Sequence, residues 1–251
     1  NYTFQSGLSC FVASILYSVQ IYGDFGGYSL MAIGAGKILG FNLTNNFNRP
    51  YFSTSVTDFW RRWHISLSTW LKDYIYIPLG GSRCSKPRNY FNIFITFLVS
   101  GIWHGANWTF IIWGILHGFF QIIEKMFGLQ KANYKGVIRG VRILITFLIV
   151  NLLWIFFRMP NLSDAIHFIG KMVTDFGNWN LFLPNRSDPL FILLGLSILF
   201  IKEVSDEFFP AKIHFFNNRK LYIRWSAYAI LLVIILLTGV FDASQFIYVN
   251  F

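Results

Sequence analysis

The sequence predicts an all-α integral membrane protein, and its composition is the first reason. Of the 251 residues, 55% are hydrophobic and 20% aromatic, whereas only 13% are charged, about half the share of an average soluble domain. The apolar residues fall in long runs, for example 143–157, 190–201 and 227–241. Runs of about 18 residues, counted with their mildly polar edges, are long enough to cross a bilayer as helices.

These runs predict the membrane helices in chain order. Their ranges are 7–22, 28–41, 91–103, 107–123, 141–157, 189–202 and 224–241. The Gly-rich stretch YGDFGGYS, which carries Asp24, lies between the first two runs and predicts a loop there. Residues 163–174 predict a short amphipathic helix. We expect residues 1–251 to form a single transmembrane domain.

The basic residues that give the chain a net charge of +10 lie between the apolar runs. The basic loops are 49–88, 124–142 and 202–224. The positive-inside rule places these loops in the cytoplasm and the balanced segment 158–189 outside. A nucleic-acid partner is not expected, because it requires a clustered basic patch on a folded domain. Cys10 and Cys84 have neither a disulfide framework nor a metal-binding spacing, so no metal site is predicted.

Residues 57–77 carry a stripe of apolar side chains at helical spacing. Its members are Trp60, Trp63, Leu67, Trp70, Leu71 and Tyr74. Ser55 with Asp58 resembles a capping box before this stripe. The pattern alone favours an interfacial helix whose arginines lie at the lipid headgroups. It does not explain why His64 falls on the apolar stripe.

A histidine also lies within the apolar stretch SGIWHGANWT, residues 100–109. A helix over 91–103 rises about 20 Å, less than the roughly 30 Å of the hydrocarbon core, so His104 is expected at membrane depth. A narrow polar face follows at helical steps: Asn107, Gly114, His117, Gly118 and Gln121. For His117 the pattern favours close helix packing with the imidazole bonded to a neighbouring carbonyl. For His104 it favours a function, because ionisable groups inside a membrane are expensive to keep.

The chemistry of a buried histidine is narrowed by the motifs that the sequence lacks. It has no Gly-x-Ser-x-Gly nucleophile elbow, P-loop or dinucleotide fingerprint. The remaining role is that of a general base that removes a proton from a hydroxyl, and an imidazole is suited to it. Asp24 is a second candidate, although an ordinary loop carboxylate explains it equally well.

Four segments carry a resemblance to a known family. They are QIYGDFGGYSLMAIG (20–34), NFNRPYFSTSVTDFWRRWHISLSTWLKDYIYIPLGGSR (46–83), LVSGIWHGANWTFIIWGILHG (98–118) and FIYVNF (246–251). Together they resemble the membrane-bound O-acyltransferase (MBOAT) family, in the bacterial branch of alginate and peptidoglycan O-acetyltransferases. Members of this family are nearly twice as long, so the chain resembles their C-terminal half.

The resemblance implies a helical bundle with short or re-entrant helices around a central tunnel, in the bacterial plasma membrane. His104 corresponds to the histidine of the family's Trp-His-Gly motif, and His64 to that of its Arg-Arg-Trp-His motif, which implies catalytic roles. The donor implied is an acyl thioester, either acetyl-CoA or an acyl carrier protein, with no bound cofactor. The acceptor implied is an extracytoplasmic polysaccharide, reached through a partner protein resembling an SGNH hydrolase.

Further roles follow from this interpretation as expectations. Phosphates of the donor are expected to meet the basic residues Arg61, Arg62 and Lys72. The tunnel lining is expected to include Asp24, Trp103, Asn107 and His117. Three alternatives remain open: D-alanyl transfer to teichoic acids, a transporter that uses the histidines as a proton relay, and a structural membrane subunit.

Overall fold

The computed structural model describes residues 5–131, 133–175, 188–209 and 220–238. Over these residues the chain is helical and contains no β-strand, which confirms the all-α part of the predicted fold class. The helices are α1 (Gly7–Ile38), α2 (Val56–Arg62), α3 (Ile65–Leu71), α4 (Lys86–His104), α5 (Trp108–Met126), α6 (Gly136–Arg158), α7 (Leu162–Thr174), α8 (Asp188–Phe208) and α9 (Leu221–Thr238).

The chain divides into two compact units, Asn1–Leu181 and Phe182–Phe251. The first contains α1 to α7 and all of the predicted site residues, and the second contains α8 and α9. Among the described residues, α1 and α6 are long and apolar enough to cross a membrane. A single domain over residues 1–251 stays a prediction, and the segment FIYVNF lies outside the described residues.

Helix α1 corrects the predicted break between two apolar segments. Residues Gly7–Ile38 form one continuous helix, so Asp24 lies in the middle of a helix rather than in a loop. Glycine in a helix costs about 1 kcal/mol relative to alanine. A break would instead leave backbone groups without hydrogen bonds, which is more costly where water is absent.

The predicted helix over 57–77 is divided into two. Helix α2 ends at Arg62, α3 begins at Ile65, and one π-helical turn follows at Lys72–Tyr76. Ser55 caps α2 by accepting from the backbone N–H of Asp58 at 2.9 Å, as predicted. The aromatic stripe does not stay on one face, because its first members are buried whereas Trp70 and Tyr74 are exposed.

The hairpin of α4 and α5 around His104 is present as predicted. Helix α4 is longer than expected, because its first turn begins at Lys86, with Pro87 at its start. Nineteen residues rise about 28 Å, close to the thickness of the hydrocarbon core. Helix length therefore no longer places His104 at mid-membrane depth, and its setting must be argued from its contacts.

Glycines allow α4 and α5 to pack closely. A Cβ atom on Gly101 would lie 2.5 Å from the carbonyl oxygen of Phe110, and one on Gly114 would overlap the carbonyl oxygen of Phe97. A Cβ atom on Gly118 would lie 3.1 Å from Cβ of Phe97. The predicted role of Gly114 and Gly118 in helix packing is therefore confirmed.

A buried polar network joins α1 to α6. Ser14 Oγ donates to Asn151 Oδ1 at 3.0 Å, and Asn151 Nδ2 donates to Ser18 Oγ at 2.8 Å. The hydroxyl of Tyr51 donates to the carbonyl oxygen of Ser18 at 2.5 Å. Hydrogen bonds between apolar helices fix their register where the hydrophobic effect between them is weak.

We expect Gly114→Ala to separate α4 from α5 locally, since the added methyl group meets backbone atoms that cannot rotate away. Overpacking of this kind costs about 1–3 kcal/mol and should lower the Tm in detergent by several degrees. The matched control is Gly140→Ala in α6, where an added Cβ meets nothing within 4 Å. Equal Tm values for the two variants would contradict the packing argument.

Candidate functional site

A layer of buried aromatic rings forms the centre of the first unit. Its members are Phe59, Trp60, Trp63, Trp113, Trp154 and Phe157, supplied by α2, α5 and α6 together with the residue after α2. Their rings meet mostly edge to face, as in the pair Trp113 and Phe157 at 5.2 Å between centroids. Three histidines, His64, His104 and His117, contact this layer or its edge.

His104 is the last residue of α4 and packs against three aromatic rings. The centroid of its imidazole lies 4.9 Å from that of Trp103, 5.1 Å from Trp113 and 5.2 Å from Phe157. The side chain is half-buried. The helix can end here because the next residue, Gly105, adopts a φ of +156°, which favours glycine.

Asn107 anchors the turn that follows His104. Its Oδ1 accepts from the backbone N–H of Thr109 at 3.1 Å and caps α5. Its Nδ2 donates to the carbonyl oxygen of Pro160 at 2.7 Å, which ties the turn to the segment between α6 and α7. Both polar groups of the Asn107 side chain are therefore used to hold the turn in place.

The backbone at His64 is left-handed, with φ 44° and ψ 54°. For a residue other than glycine this costs of order 1–3 kcal/mol, and such residues cluster at functional sites. The segment around Asn46 holds this conformation. The N–H of Asn48 donates to the carbonyl oxygen of Arg62 at 2.9 Å, and that of Ile65 donates to the carbonyl oxygen of Asn46 at 3.1 Å.

The side chain of Asn46 also holds the segment that follows His64. Its Oδ1 accepts from both the backbone N–H and the hydroxyl of Ser66, at 3.1 and 2.6 Å. The His64 ring consequently packs 4.7 Å from Phe25 of α1 and 6.4 Å from Trp103. Its buried Nδ1 has no hydrogen-bond partner among the described residues.

Trp103 brings the two predicted catalytic histidines together, since its ring contacts both His64 and His104. Trp103 itself is 58% exposed, so the edge of the aromatic layer is open at this point. Asp24 is half-buried in α1, one residue before the Phe25 that contacts His64. His64, Trp103 and His104 thus lie together at this edge of the layer, whereas successive helix residues point about 100° apart, so the position of Asp24 beside Phe25 in the chain does not place its carboxylate there.

His117 lies deeper in the aromatic layer and is fully buried. The indole N–H of Trp60 donates to its Nδ1 at 3.1 Å, so its partner is not the backbone carbonyl that the sequence pattern favours. Its ring centroid lies 4.9 Å from that of Trp113. Trp113 therefore contacts both His104 and His117.

A basic cavity of about 540 Å³ lies beside α2, α3, α4 and α5. Arg61, Lys72 and Lys125 line it, and Trp60 and Phe97 form part of its wall. The other lining residues are Thr57, Ile65, Ser68, Thr69, Leu71, Tyr76, Ile93, Thr96, Gln121 and Gln130. Lys72, Lys125 and Gln130 of this lining belong to segments that the positive-inside rule places in the cytoplasm.

Trp60 belongs both to the wall of this cavity and to the aromatic layer. The rings of Trp60 and Phe97 contact His117 at 5.1 and 6.3 Å between centroids. The cavity does not include His64 or His104. A layer of aromatic side chains therefore separates the basic cavity from the two histidines at the opening.

Arg62 lies apart from Arg61 and Lys72. Its Nε pairs with Oδ1 of Asp58 at 3.1 Å, and it lines a second polar cavity with Lys135 and Arg139. Successive residues on a helix point about 100° apart, so Arg61 and Arg62 face different cavities. The three predicted donor-binding residues are thus divided between two places.

Comparison with known proteins identifies the family. Residues 2–162 match the model of MBOAT, the membrane-bound O-acyltransferase family. The chain belongs to the membrane-bound O-acyltransferase family. The matched residues include Trp103, the basic cavity and the whole aromatic layer.

Curated relatives belong to three kinds of transferase. A "Probable alginate O-acetylase" of Pseudomonas aeruginosa is 47% identical over 75% of this chain and 36% of its own length. A peptidoglycan O-acetyltransferase of Helicobacter pylori is 44% identical over 68% of this chain and 33% of its own length. A teichoic acid D-alanyltransferase of Bacillus subtilis is 33% identical over 47% and 32% of the two lengths. The chain thus spans about a third of the length of these relatives.

Two residues of this MBOAT chain were missed by sequence reasoning. In the sequence Lys125 is one charge of the basic loop 124–142, but in the structure it lines the basic cavity and donates to Oδ1 of Asn89. Glu124 is buried, although it is ionisable. A carboxylate at the end of an apolar helix is the signal that was available for it.

Glu124 binds the start of α2. Its Oε1 accepts from the N–H of Val56 at 2.6 Å, and its Oε2 accepts from the N–H and the hydroxyl of Thr57, both at 2.9 Å. A carboxylate at a helix N-terminus is also favoured by the helix dipole. Because Trp60 and Arg61 lie one turn farther along α2, Glu124 sets where both point. The described residues contain no group of three or more His, Cys, Asp or Glu that could hold a metal ion.

Glu124→Ala is expected to destabilise the protein, because it leaves the buried N–H of Val56 and the partly buried N–H of Thr57 without an acceptor. Each such group costs about 1–3 kcal/mol, so the Tm in detergent should fall clearly. Glu124→Gln keeps one acceptor oxygen, so its Tm should fall less. A Glu124→Ala protein as stable as the wild type would show that α2 is held by other contacts.

Proposed function

We propose that this chain carries the catalytic centre of a membrane O-acyltransferase. It moves an acetyl group from a cytoplasmic thioester donor across the membrane to a hydroxyl group of a cell-envelope or exported polysaccharide. The observation that carries the proposal is the meeting of His64 and His104 around Trp103, on the far side of the aromatic layer from a basic cavity. The alginate and peptidoglycan O-acetylating relatives support acetyl as the group transferred.

In the proposed reaction His104 acts as the general base. It takes the proton of the acceptor hydroxyl while the hydroxyl oxygen attacks the thioester carbonyl carbon. The resulting tetrahedral intermediate collapses, the carbon–sulfur bond breaks, and the thiolate receives the proton from the imidazolium. The products are one ester and one free thiol. The surrounding rings exclude water, which would otherwise compete for the acetyl group.

His64 is proposed to orient the thioester or to assist this proton transfer. Its left-handed backbone is fixed from outside by Asn46 and Asn48, so its ring has little freedom to turn away. Preorganisation of this kind places a group where charge develops, without reorganisation during the reaction. The buried Nδ1 of His64 is available to a substrate, since no described residue bonds to it.

The donor is proposed to bind in the basic cavity. Phosphate groups of acetyl-CoA, or of the prosthetic arm of an acyl carrier protein, form charge-assisted hydrogen bonds with Arg and Lys. Arg61, Lys72 and Lys125 line it. Lys72 also lies 3.7 Å from Asp73, and Lys125 donates to Oδ1 of Asn89. Arg62 is a weaker candidate for donor binding, because it pairs with Asp58 and lines the second cavity.

The wider setting is also proposed from the resemblance. The protein is placed in the bacterial plasma membrane as a multi-pass protein, with the basic loops in the cytoplasm. An extracytoplasmic partner resembling an SGNH hydrolase would pass the acetyl group to the polysaccharide. The tunnel from cavity to opening would be lined by Trp103, Asn107, His117 and Asp24.

His104→Ala should reduce label transfer from radioactive acetyl-CoA to polysaccharide or partner by about 10²–10⁴-fold, the usual contribution of a general base. The measurement uses membranes that contain the whole protein at matched expression. His167→Ala is the control, because His167 is exposed on α7. Normal transfer by His104→Ala would make His104 a packing residue. Absence of transfer by the wild type would favour a carrier-protein donor or a transporter.

Arg61→Gln should raise the KM for acetyl-CoA by about tenfold, the loss expected for one hydrogen bond to a charged group. Arg62→Gln should leave the KM near the wild-type value, since Arg62 faces the second cavity. Added salt should raise the wild-type KM more than that of Arg61→Gln, because it screens the contact that the variant lacks. Equal effects of the two substitutions would place the donor elsewhere.

D-alanyl transfer to teichoic acid is the second candidate. One observation favours it, namely the D-alanyltransferase of Bacillus subtilis at 33% identity. The lower identity and the shorter match, 47% of this chain against 75% for the alginate relative, rank it second. Label that enters the polymer from a D-alanyl carrier protein, and not from acetyl-CoA, would reverse this order.

A further inference from the structure

His117 has one ring nitrogen whose hydrogen-bonding role is fixed by the fold. An indole N–H can only donate, and the N–H of Trp60 points at Nδ1 of His117 at 3.1 Å. Nδ1 must therefore carry a lone pair. In a neutral imidazole the proton is then on Nε2, which is a hydrogen-bond donor.

This donor has no acceptor within the described part of the chain. His117 is fully buried, and its Nε2 is among the buried polar atoms without a hydrogen-bond partner. The neighbouring rings are those of Phe59, Trp60, Phe97 and Trp113, which offer no carbonyl or carboxylate oxygen. A buried donor without a partner is unfavourable, so the position suits an acceptor that arrives with a ligand.

The position of His117 on α5 indicates which ligand. Residues four apart form a ridge along a helix, and one ridge of α5 consists of Thr109, Trp113, His117, Gln121 and Lys125. Gln121 and Lys125 line the basic cavity at one end. At the other end, Thr109 lies just after the turn that follows His104, and Trp113 contacts His104.

Two further members of this ridge have buried polar atoms without a partner, Thr109 Oγ1 and Trp113 Nε1. Three successive positions of the ridge thus present unpaired polar atoms between the cavity and His104. In a core held together by packing alone, apolar side chains would fill these positions at no electrostatic cost. The ridge therefore has the composition of a surface that meets a small polar group, such as a carbonyl.

We propose that His117 is a catalytic residue whose Nε2–H donates a hydrogen bond to the carbonyl oxygen of the acyl thioester. Trp60 is its positioning residue, because the indole N–H holds the imidazole in the donating tautomer. The inference rests on the acyltransferase function proposed above. His117 transfers no proton: it stabilises the negative charge on the carbonyl oxygen of the tetrahedral intermediate, while His104 takes and returns the hydroxyl proton.

The first experiment replaces His117 by side chains that either keep or lose an N–H group at this position. His117→Leu should lower kcat by about 10²–10³-fold, the effect of losing one donor to an oxyanion, with little change in the KM for acetyl-CoA. His117→Gln should retain most of the activity, because its amide places an N–H close to the position of Nε2. Trp60→Phe keeps an aromatic ring but loses the indole N–H. Its kcat should lie between those of His117→Leu and His117→Gln.

The controls of this experiment separate catalysis from packing. His167→Leu, on the exposed face of α7, should behave as the wild type. The Tm of each variant in detergent is measured alongside kcat. Equal losses of kcat for His117→Leu and His117→Gln, or losses that follow the Tm, would make His117 a structural residue and overturn the proposal.

The second experiment tests the carbonyl directly by binding, without turnover. One probe is a ketone analogue of acetyl-CoA in which a methylene group replaces sulfur, and the other is S-ethyl-CoA, which lacks the carbonyl. The whole protein should bind the ketone more tightly, and His117→Leu should lose this preference while keeping its affinity for S-ethyl-CoA.

The outcomes of the binding experiment distinguish the two proposals. An unchanged preference in His117→Leu would overturn the role of His117 and leave the acyltransferase proposal intact. If the wild type bound neither probe and transferred no label from acetyl-CoA, the proposed donor would fail and the inference about His117 would fail with it.

Discussion

The left-handed turn at His64 is the constraint on which the rest of the site depends. It ends α2 and starts α3 in a new direction, so that the His64 ring packs against Phe25 and Trp103 while Trp60 is buried against His117. An unbroken helix would keep these rings on one stripe. The strain at His64 persists because Asn46 and Asn48 bond the backbone on both sides of it, and because Glu124 fixes the start of α2.

The aromatic layer gives the site two different sides. A basic cavity lined by Arg61, Lys72 and Lys125 lies on one side, and an opening with His64 and His104 on the other. Rings fill the space between them without offering ionised groups, so the local dielectric is low and each remaining polar contact is strengthened. A donor that binds by its phosphates and reacts at its carbonyl matches this division.

Buried polar side chains in two parts of the first unit differ in whether they have hydrogen-bond partners. Between α1 and α6, Ser14, Ser18 and Asn151 satisfy one another within hydrogen-bonding distance, which is what a structural network requires. Along α5, Thr109, Trp113 and His117 leave polar atoms unpaired although they are equally buried. The contrast distinguishes the polar residues that hold α1 and α6 together from those that, in the proposed reaction, would meet a substrate.

The sequence by itself determined the helical membrane class, the α4–α5 hairpin, the family and the two motif histidines, because hydropathy and motif spacing are local properties. It did not reveal that α1 is continuous, since glycines that resemble a break stay helical where backbone bonds have no alternative. Only the tertiary structure decided that Arg61 and Arg62 face different cavities, that Lys125 joins Arg61, and that Trp60 bonds to His117. The partner of a buried polar group such as His117 comes from a helix distant in the sequence, so it depends on how the helices pack.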